Sequence, residues 1–304
     1  MKSKMLLFYA KLVFITALFG WIAYKLDYKT ALLLISSARP AWGFAALVLA
    51  AVSFLFVNYR WKIIIKGFWA NSKTSVWQLY FFNLLGVFYS LFVPTSIAAE
   101  AVRIWRLAKN EDSDYGKAAM TAIIDRIVGI TTWFVLFLLL PSMLPKNKLL
   151  GLVFLVPVAL YFFRDKIKIK ERKIFDFSRH HPADIVYAVV FSLICQFFYL
   201  LAGYSVFKCF NVDIGLFFIA GIVAAGALAN IVPVSMLGFG AREGFFIAVL
   251  PLYGVSHTEA VLITTFFVFI SYVTGLSGGF LELMHTGWKL SVLKAPEIKG
   301  PPDA

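Results

Sequence analysis

The chain has 304 residues, of which 61% are hydrophobic, 17% aromatic and 15% charged. That is far more apolar than a water-soluble core requires, so composition alone excludes a soluble fold. The net charge of +13 comes from 29 Lys and Arg against 16 Asp and Glu; in so apolar a chain the excess belongs to cytoplasmic loops and anionic lipid, not to nucleic acid. Cys195 and Cys209 lie in or beside an apolar run without C-x-x-C spacing, so neither a disulfide framework nor a zinc site is expected, and no cofactor is called for.

The first apolar run, 5–24, follows Lys2 and Lys4 as a signal sequence would, but no small-residue cleavage site follows it, and it is read as a retained helix. Later runs predict helices near 42–58, 77–92, 117–140, 149–163, 184–206, 214–231 and 258–283. The links between them are polar, including one that opens at Arg60 and a strongly basic one over 164–182. The expected fold is an all-α, polytopic membrane protein: one membrane domain over 1–304.

The runs ending at Phe92 and Ile231 stop at a proline and lead into segments too short and too charged to span. Val93-Pro94-Thr95-Ser96 opens a half-helix over 97–108, and Val232-Pro233-Val234-Ser235 opens a glycine-containing turn and a half-helix over 241–252. Pro94 and Pro233, Ser96 and Ser235, and Arg103 and Arg242 are each separated by 139 residues, and the same shift superposes the other predicted helices. Two diverged repeats are expected, 1–145 and 146–283, followed by a tail over 284–304.

Loop charge sets their orientation. If each Pro-broken pair is a hairpin that enters and leaves on one face, 18 loop Lys and Arg fall inside and 6 outside. Full crossings would put the basic 164–179 stretch outside, so the hairpin arrangement is preferred. It implies inverted repeats, with both termini on the cytoplasmic side of the inner membrane.

Irregular backbone at bilayer depth is tolerated where it is buried in protein or lines a wet cavity, so the two breaks point to a site between the repeats. Thr95 or Ser96 is expected to cap the first half-helix, and Ser235 stands just ahead of the second, where free N–H groups favour an anion. Intramembrane charges cluster there: Glu100, Arg103, Arg106, Asp125, Arg126, Arg242 and Glu243. Glu100 and Arg103 are spaced to pair within one turn and Asp125 to reach Arg103, leaving guanidinium forks for a phosphate. Arg242 and Glu243, as helix neighbours, are expected to need partners elsewhere. Against this stands the reading of these residues as an ion-pair network that only fixes packing, with Arg106 snorkelling to the interface.

Other signals are weaker. Asp112-Ser113-Asp114 has D-x-D spacing but precedes a helix like a cap. Glu282 and His285 form a single E-x-x-H pair without further carboxylates, so no di-metal site is expected. Gly275 and Gly279 form GxxxG, read as a helix-packing contact.

The segment from Pro94 to Leu107, the Asp125-Arg126 pair and the segment from Pro233 to Gly244 resemble the lysylphosphatidylglycerol synthase transmembrane region, a flippase-like family. The chain departs from it at Ala99, where the family usually has Gly. Larger family members carry an aminoacyl-transfer or glycosyltransferase domain after the membrane part; residues 284–304 leave no room for either, so neither activity is expected. The resemblance implies translocation of an anionic lipid, with Glu100, Arg103, Asp125, Arg126, Arg242 and Glu243 at its charged positions. The expected partners are a phospholipid or polyprenyl-phosphate sugar as substrate, bulk membrane lipid, and a glycosyltransferase or lipid-synthesis enzyme. The expectation is a transporter, not an enzyme; the alternatives are a lipid-modifying transferase using Asp112 and Asp114, or a scaffold for a glycolipid pathway.

Overall fold

The computed structural model describes residues 27–92, 97–139, 182–230, 235–236 and 239–285. The predicted helices at 5–24 and 149–163, the basic stretch, the residues after 285, and Thr95 and Ser96 lie outside these. Of Ser235 the backbone alone is described.

Nine α-helices are described: α1 (Tyr28–Ser36), α2 (Pro40–Phe68), α3 (Val76–Phe92), α4 (Ile97–Asn110), α5 (Tyr115–Leu139), α6 (Pro182–Cys209), α7 (Leu216–Ala229), α8 (Ala241–Val249) and α9 (His257–His285). A two-residue antiparallel ladder, Ser235–Met236 with Phe239–Gly240, precedes α8, and a 3-10 turn, Leu250–Tyr253, follows it. Four of the helices, α2, α5, α6 and α9, are long and apolar enough to cross a membrane. At 1.5 Å per residue their 25 to 29 residues reach about 38–43 Å, beyond the roughly 30 Å hydrocarbon core. The chain is a polytopic helical membrane protein.

Two helices depart from the sequence expectation. α2 runs ten residues past its predicted end at 58, because Asn58, Arg60 and Trp61 are buried and partnered inside the bundle, while Ile63, Ile64 and Ile65 continue the apolar run. α1 occupies part of what reads as a polar link; Asp27 caps it by accepting from the Lys29 and Thr30 backbone amides.

α2 and α6, equivalent under the 139-residue shift, pack along one another more extensively than any other pair. They run antiparallel: Arg39 N–H donates to the Cys209 carbonyl at 2.8 Å, Ser53 meets Cys195 at 3.4 Å, and Arg60 meets Ser192 at 3.0 Å. Across the halves, α3 packs on α9 and its counterpart α7 on α5, so the pairing survives exchange of the halves.

Each broken pair closes on itself at its mouth. The α2–α3 link meets the end of α4 through Glu111, which accepts from Ser72 Oγ at 2.6 Å and the Thr74 amide at 3.0 Å, and through Asn110, which donates to Thr74 at 2.9 Å. In the second pair, Phe218 near the start of α7 and Tyr253 after α8 bring their rings to 4.4 Å. The first mouth lies beside the C-terminal end of α2. The second lies beside its N-terminal end, where Asn211 donates to the Ser37 carbonyl at 2.9 Å.

Glycines set the closest approaches. A Cβ at Gly278 on α9 would lie 2.5 Å from the Leu84 carbonyl group, and one at Gly275 2.8 Å from Leu91 Cδ1, so the GxxxG segment is a packing face against α3. Within the first hairpin a Cβ at Gly86 would stand 2.8 Å from the Ala99 carbonyl oxygen, so α3 supplies the room where α4 carries Ala.

Candidate functional site

The densest polar cluster is built where the start of α4 meets α2, α5 and α6. Asp125, fully buried near the middle of α5, accepts from Arg60 Nε at 2.7 Å through Oδ1 and from Arg103 Nη2 at 3.2 Å through Oδ2. Arg60 continues to Ser192 on α6, which shares a 2.7 Å hydrogen bond with Thr132. Gly129, one turn past Asp125, makes the room: a Cβ there would meet Arg60 Nη1 at 2.9 Å. Gln196 Nε2 closes this end by donating to Thr132 Oγ1 at 2.6 Å and to the Gly129 carbonyl at 3.2 Å, while its Oε1 is buried without a donor among the described residues.

Arg103 is 1% exposed, its guanidinium stacked 4.2 Å over the Trp61 ring, and Trp61 is held in turn by donating to Thr121 at 3.1 Å. Its Nη1 donates to Glu100 Oε2 at 3.0 Å and Oε1 at 3.2 Å. The helix spacing thus does pair Glu100 with Arg103, and Asp125 with Arg103, as read from the sequence. The expected free forks on Arg103 are absent: both terminal nitrogens are occupied by carboxylates, because Asp125 is shared with Arg60. Arg103 Nε remains buried without an acceptor among the described residues. Arg126 pairs with Glu100, as expected not with its neighbour Asp125, and its side chain is 56% exposed.

In the second half Arg242 and Glu243 bond to each other, Arg242 Nε to Glu243 Oε1 at 2.7 Å, contrary to the rule for helix neighbours. The reason is position. Both lie in the first turn of α8, where Glu243 folds back to accept from the Gly240 amide at 2.9 Å and so comes within reach of Arg242. The α8 N-terminus, expected to be open to an anion, therefore already holds its own carboxylate, and its cap position is Gly240 and not Ser235. Arg242 also donates to Tyr199 at 3.0 Å and lies 5.6 Å over the Phe267 ring.

Arg106 does not snorkel. It pairs with Glu282, fully buried on α9, and ties the first hairpin to the last helix. Sequence reasoning missed Arg60 and Glu282 as site residues, the first because hydropathy placed it in a loop. Asp112 is exposed and forms a 3.8 Å pair with Lys73, and the Asp114 carbonyl receives the Lys117 and Ala118 amides at the start of α5. Outside the spans, Glu111 is pushed up by partial burial, but the hydrogen bonds from Ser72 and Thr74 outweigh this and hold its carboxyl below the usual range.

The first cluster is short of one anion. Arg60, Arg103 and Arg126 bring three positive charges, and Asp125 and Glu100 two negative ones. An uncompensated cation at bilayer depth is costly and marks a place for a negatively charged ligand. The second cluster, Arg242 with Glu243, is balanced.

Comparison with known proteins agrees with this architecture. No curated protein and no solved structure matches the chain. The model of the lysylphosphatidylglycerol synthase TM region matches residues 8–279, including every helix described except the last turn of α9. The chain belongs to the lysylphosphatidylglycerol synthase transmembrane-region family, and its membrane function is lipid-related.

Proposed function

We propose that the protein is a flippase that moves an anionic lipid between the leaflets of the inner membrane, with the phosphate held by arginines between two inverted repeats. The observation that carries this reading is the single positive charge left over in the Arg60, Arg103, Arg126, Asp125 and Glu100 cluster. A lipid phosphodiester supplies one negative charge and acceptor oxygens suited to a guanidinium fork.

Three packing facts support the inverted, re-entrant arrangement. The helices α3, α4, α7 and α8 have 17, 14, 14 and 9 residues, each shorter than the roughly 30 Å core at 1.5 Å per residue. The two ends of each pair meet at one mouth, and the two mouths lie at opposite ends of α2. The equivalent helices α2 and α6 are antiparallel, as a two-fold axis in the membrane plane requires. Rocking of one repeat on the other about this seam would expose the cluster to each leaflet in turn.

Transport is proposed without a chemical step on the lipid, since Asp112 spends its carboxylate on Lys73 at the surface, away from the buried cluster. The test is leaflet exchange in liposomes containing the purified chain and labelled lipids, one phospholipid and one polyprenyl-phosphate sugar. Exchange of one class, abolished by Arg242→Ala in folded protein, is the expected result and names the substrate. A folded wild-type chain that exchanges neither would remove the reading.

A further inference from the structure

The inference rests on the lipid-phosphate reading and concerns how the headgroup enters the first cluster. The outer face of α5 exposes Ile127, Val135 and Leu138 at 41, 45 and 47%, an apolar face suited to lipid chains. Arg126 emerges at the edge of this face, 11 residues or about 16 Å along α5 from Tyr115, which is close to half the hydrocarbon thickness. A guanidinium there demands a counter-ion. Among the described residues its ion-pair partner is Glu100, whose side chain is 25% exposed.

Glu100 is overcommitted. Its Oε1 accepts from Arg126 and, at 3.2 Å, from Arg103 Nη1, while its Oε2 accepts from Arg103 at 3.0 Å. Arg103 has Asp125 as a second carboxylate and Trp61 beneath it. Arg126 has no such reserve. The cluster is also short of acceptors: Arg103 Nε is buried and unpaired among the described residues.

We propose that Glu100 is an internal stand-in for the substrate headgroup: a lipid phosphodiester carrying one negative charge displaces Glu100 from Arg126, and Glu100 withdraws onto Arg103, which it already touches. No cation loses its anion in this exchange. Three guanidiniums then face two carboxylates and one phosphate, so the loaded cluster is neutral. A zwitterionic lipid brings its own ammonium and leaves the excess charge in place, so the site selects lipids with a single net negative charge.

Calorimetric titration of the purified full chain with dioctanoyl phosphatidylglycerol, dioctanoyl phosphatidylcholine and inorganic phosphate tests this, with thermal unfolding of each variant run alongside. Wild type should bind the glycerol lipid in preference to the other two. Glu100→Gln, which removes the competing carboxylate, should bind it about tenfold tighter, and Arg126→Gln should lose about the same factor or more. If Glu100→Gln does not fold, Glu100→Asp, with a shorter reach to Arg126, should still tighten binding.

Weaker or unchanged binding by a folded Glu100 variant would overturn the stand-in role while leaving the lipid-phosphate reading intact. Equal binding of the choline lipid would overturn the charge selection, and equal binding of inorganic phosphate would overturn the assignment to a lipid. No binding of any phosphate by wild type would sink both readings together.

Discussion

The two Pro-broken hairpins hold equivalent places in their halves, yet their polar sites are built on different principles. Arg103 and Arg242 are the shared elements, separated by 139 residues. Around Arg103 the chain places Arg60, Glu100, Asp125 and Arg126; at the positions 139 residues on it places Tyr199, Phe239, Thr264 and Thr265. Tyr199 still touches Arg242, as Arg60 touches the acid that binds Arg103. The first site is a five-charge network with one cation in excess, and the second is a neutral pair clamped to a helix start. Divergence of the repeats has thus concentrated charge in one half, so a negatively charged ligand is drawn to the first hairpin while the second offers a polar, self-satisfied wall.

This contrast can be broken experimentally, and the largest effect is expected at Asp125. Asp125→Ala strands Arg60 and Arg103 together in the bundle, and loss of one partner of a buried pair costs about 3–5 kcal/mol. Folded yield and thermal stability in detergent should fall steeply, and a stable variant would show that the network does not hold the halves together. Arg242→Gln should be milder, about 1–3 kcal/mol, because Glu243 keeps its bond to the Gly240 amide. If the two variants melt alike, the asymmetry between the sites has no energetic content.

Gly86→Ala sharpens the comparison from the packing side. Its Cβ would stand 2.8 Å from the Ala99 carbonyl and force the two arms of the first hairpin apart, at a cost of about 1–3 kcal/mol. Thermal unfolding is again the readout.

The smallest effect is expected at the mouth of the first hairpin. The Glu111 carboxyl sits below its ordinary value of 4.5 in the folded chain, so its stabilising contribution is complete above that value and is lost as pH falls through the depressed one. Melting temperature should decline more steeply with acid in wild type than in Glu111→Gln between about pH 5 and 3; parallel profiles would mean that Glu111 does not clasp the mouth.

Much of this architecture is legible in the sequence, since long apolar runs fix spans and the V-P-x-S breaks fix the hairpins. The local pairs followed from helix geometry: Glu100 with Arg103 needs one turn, and Asp125 with Arg103 needs adjacent elements. Arg60 escaped because a hydropathy window ends at a charge, although Trp61 and Ile63 to Ile65 carry the apolar run onward. Its partner is 65 residues away, and Glu282 lies 176 residues from Arg106, separations at which one sequence holds no pairing signal. Glu243 was misjudged because the rule that helix neighbours diverge holds in a helix interior, and not in a first turn where a carboxylate folds back on the cap.

The central claim, that excess positive charge in the first hairpin carries an anionic lipid across the bilayer, is tested most directly by leaflet exchange in proteoliposomes. Labelled phosphatidylglycerol and phosphatidylcholine would be compared in wild type and in folded Arg126→Gln. The account predicts exchange of the glycerol lipid over the choline lipid in wild type, and its loss in the variant. Equal exchange of both lipids, or exchange undiminished in Arg126→Gln, would contradict it.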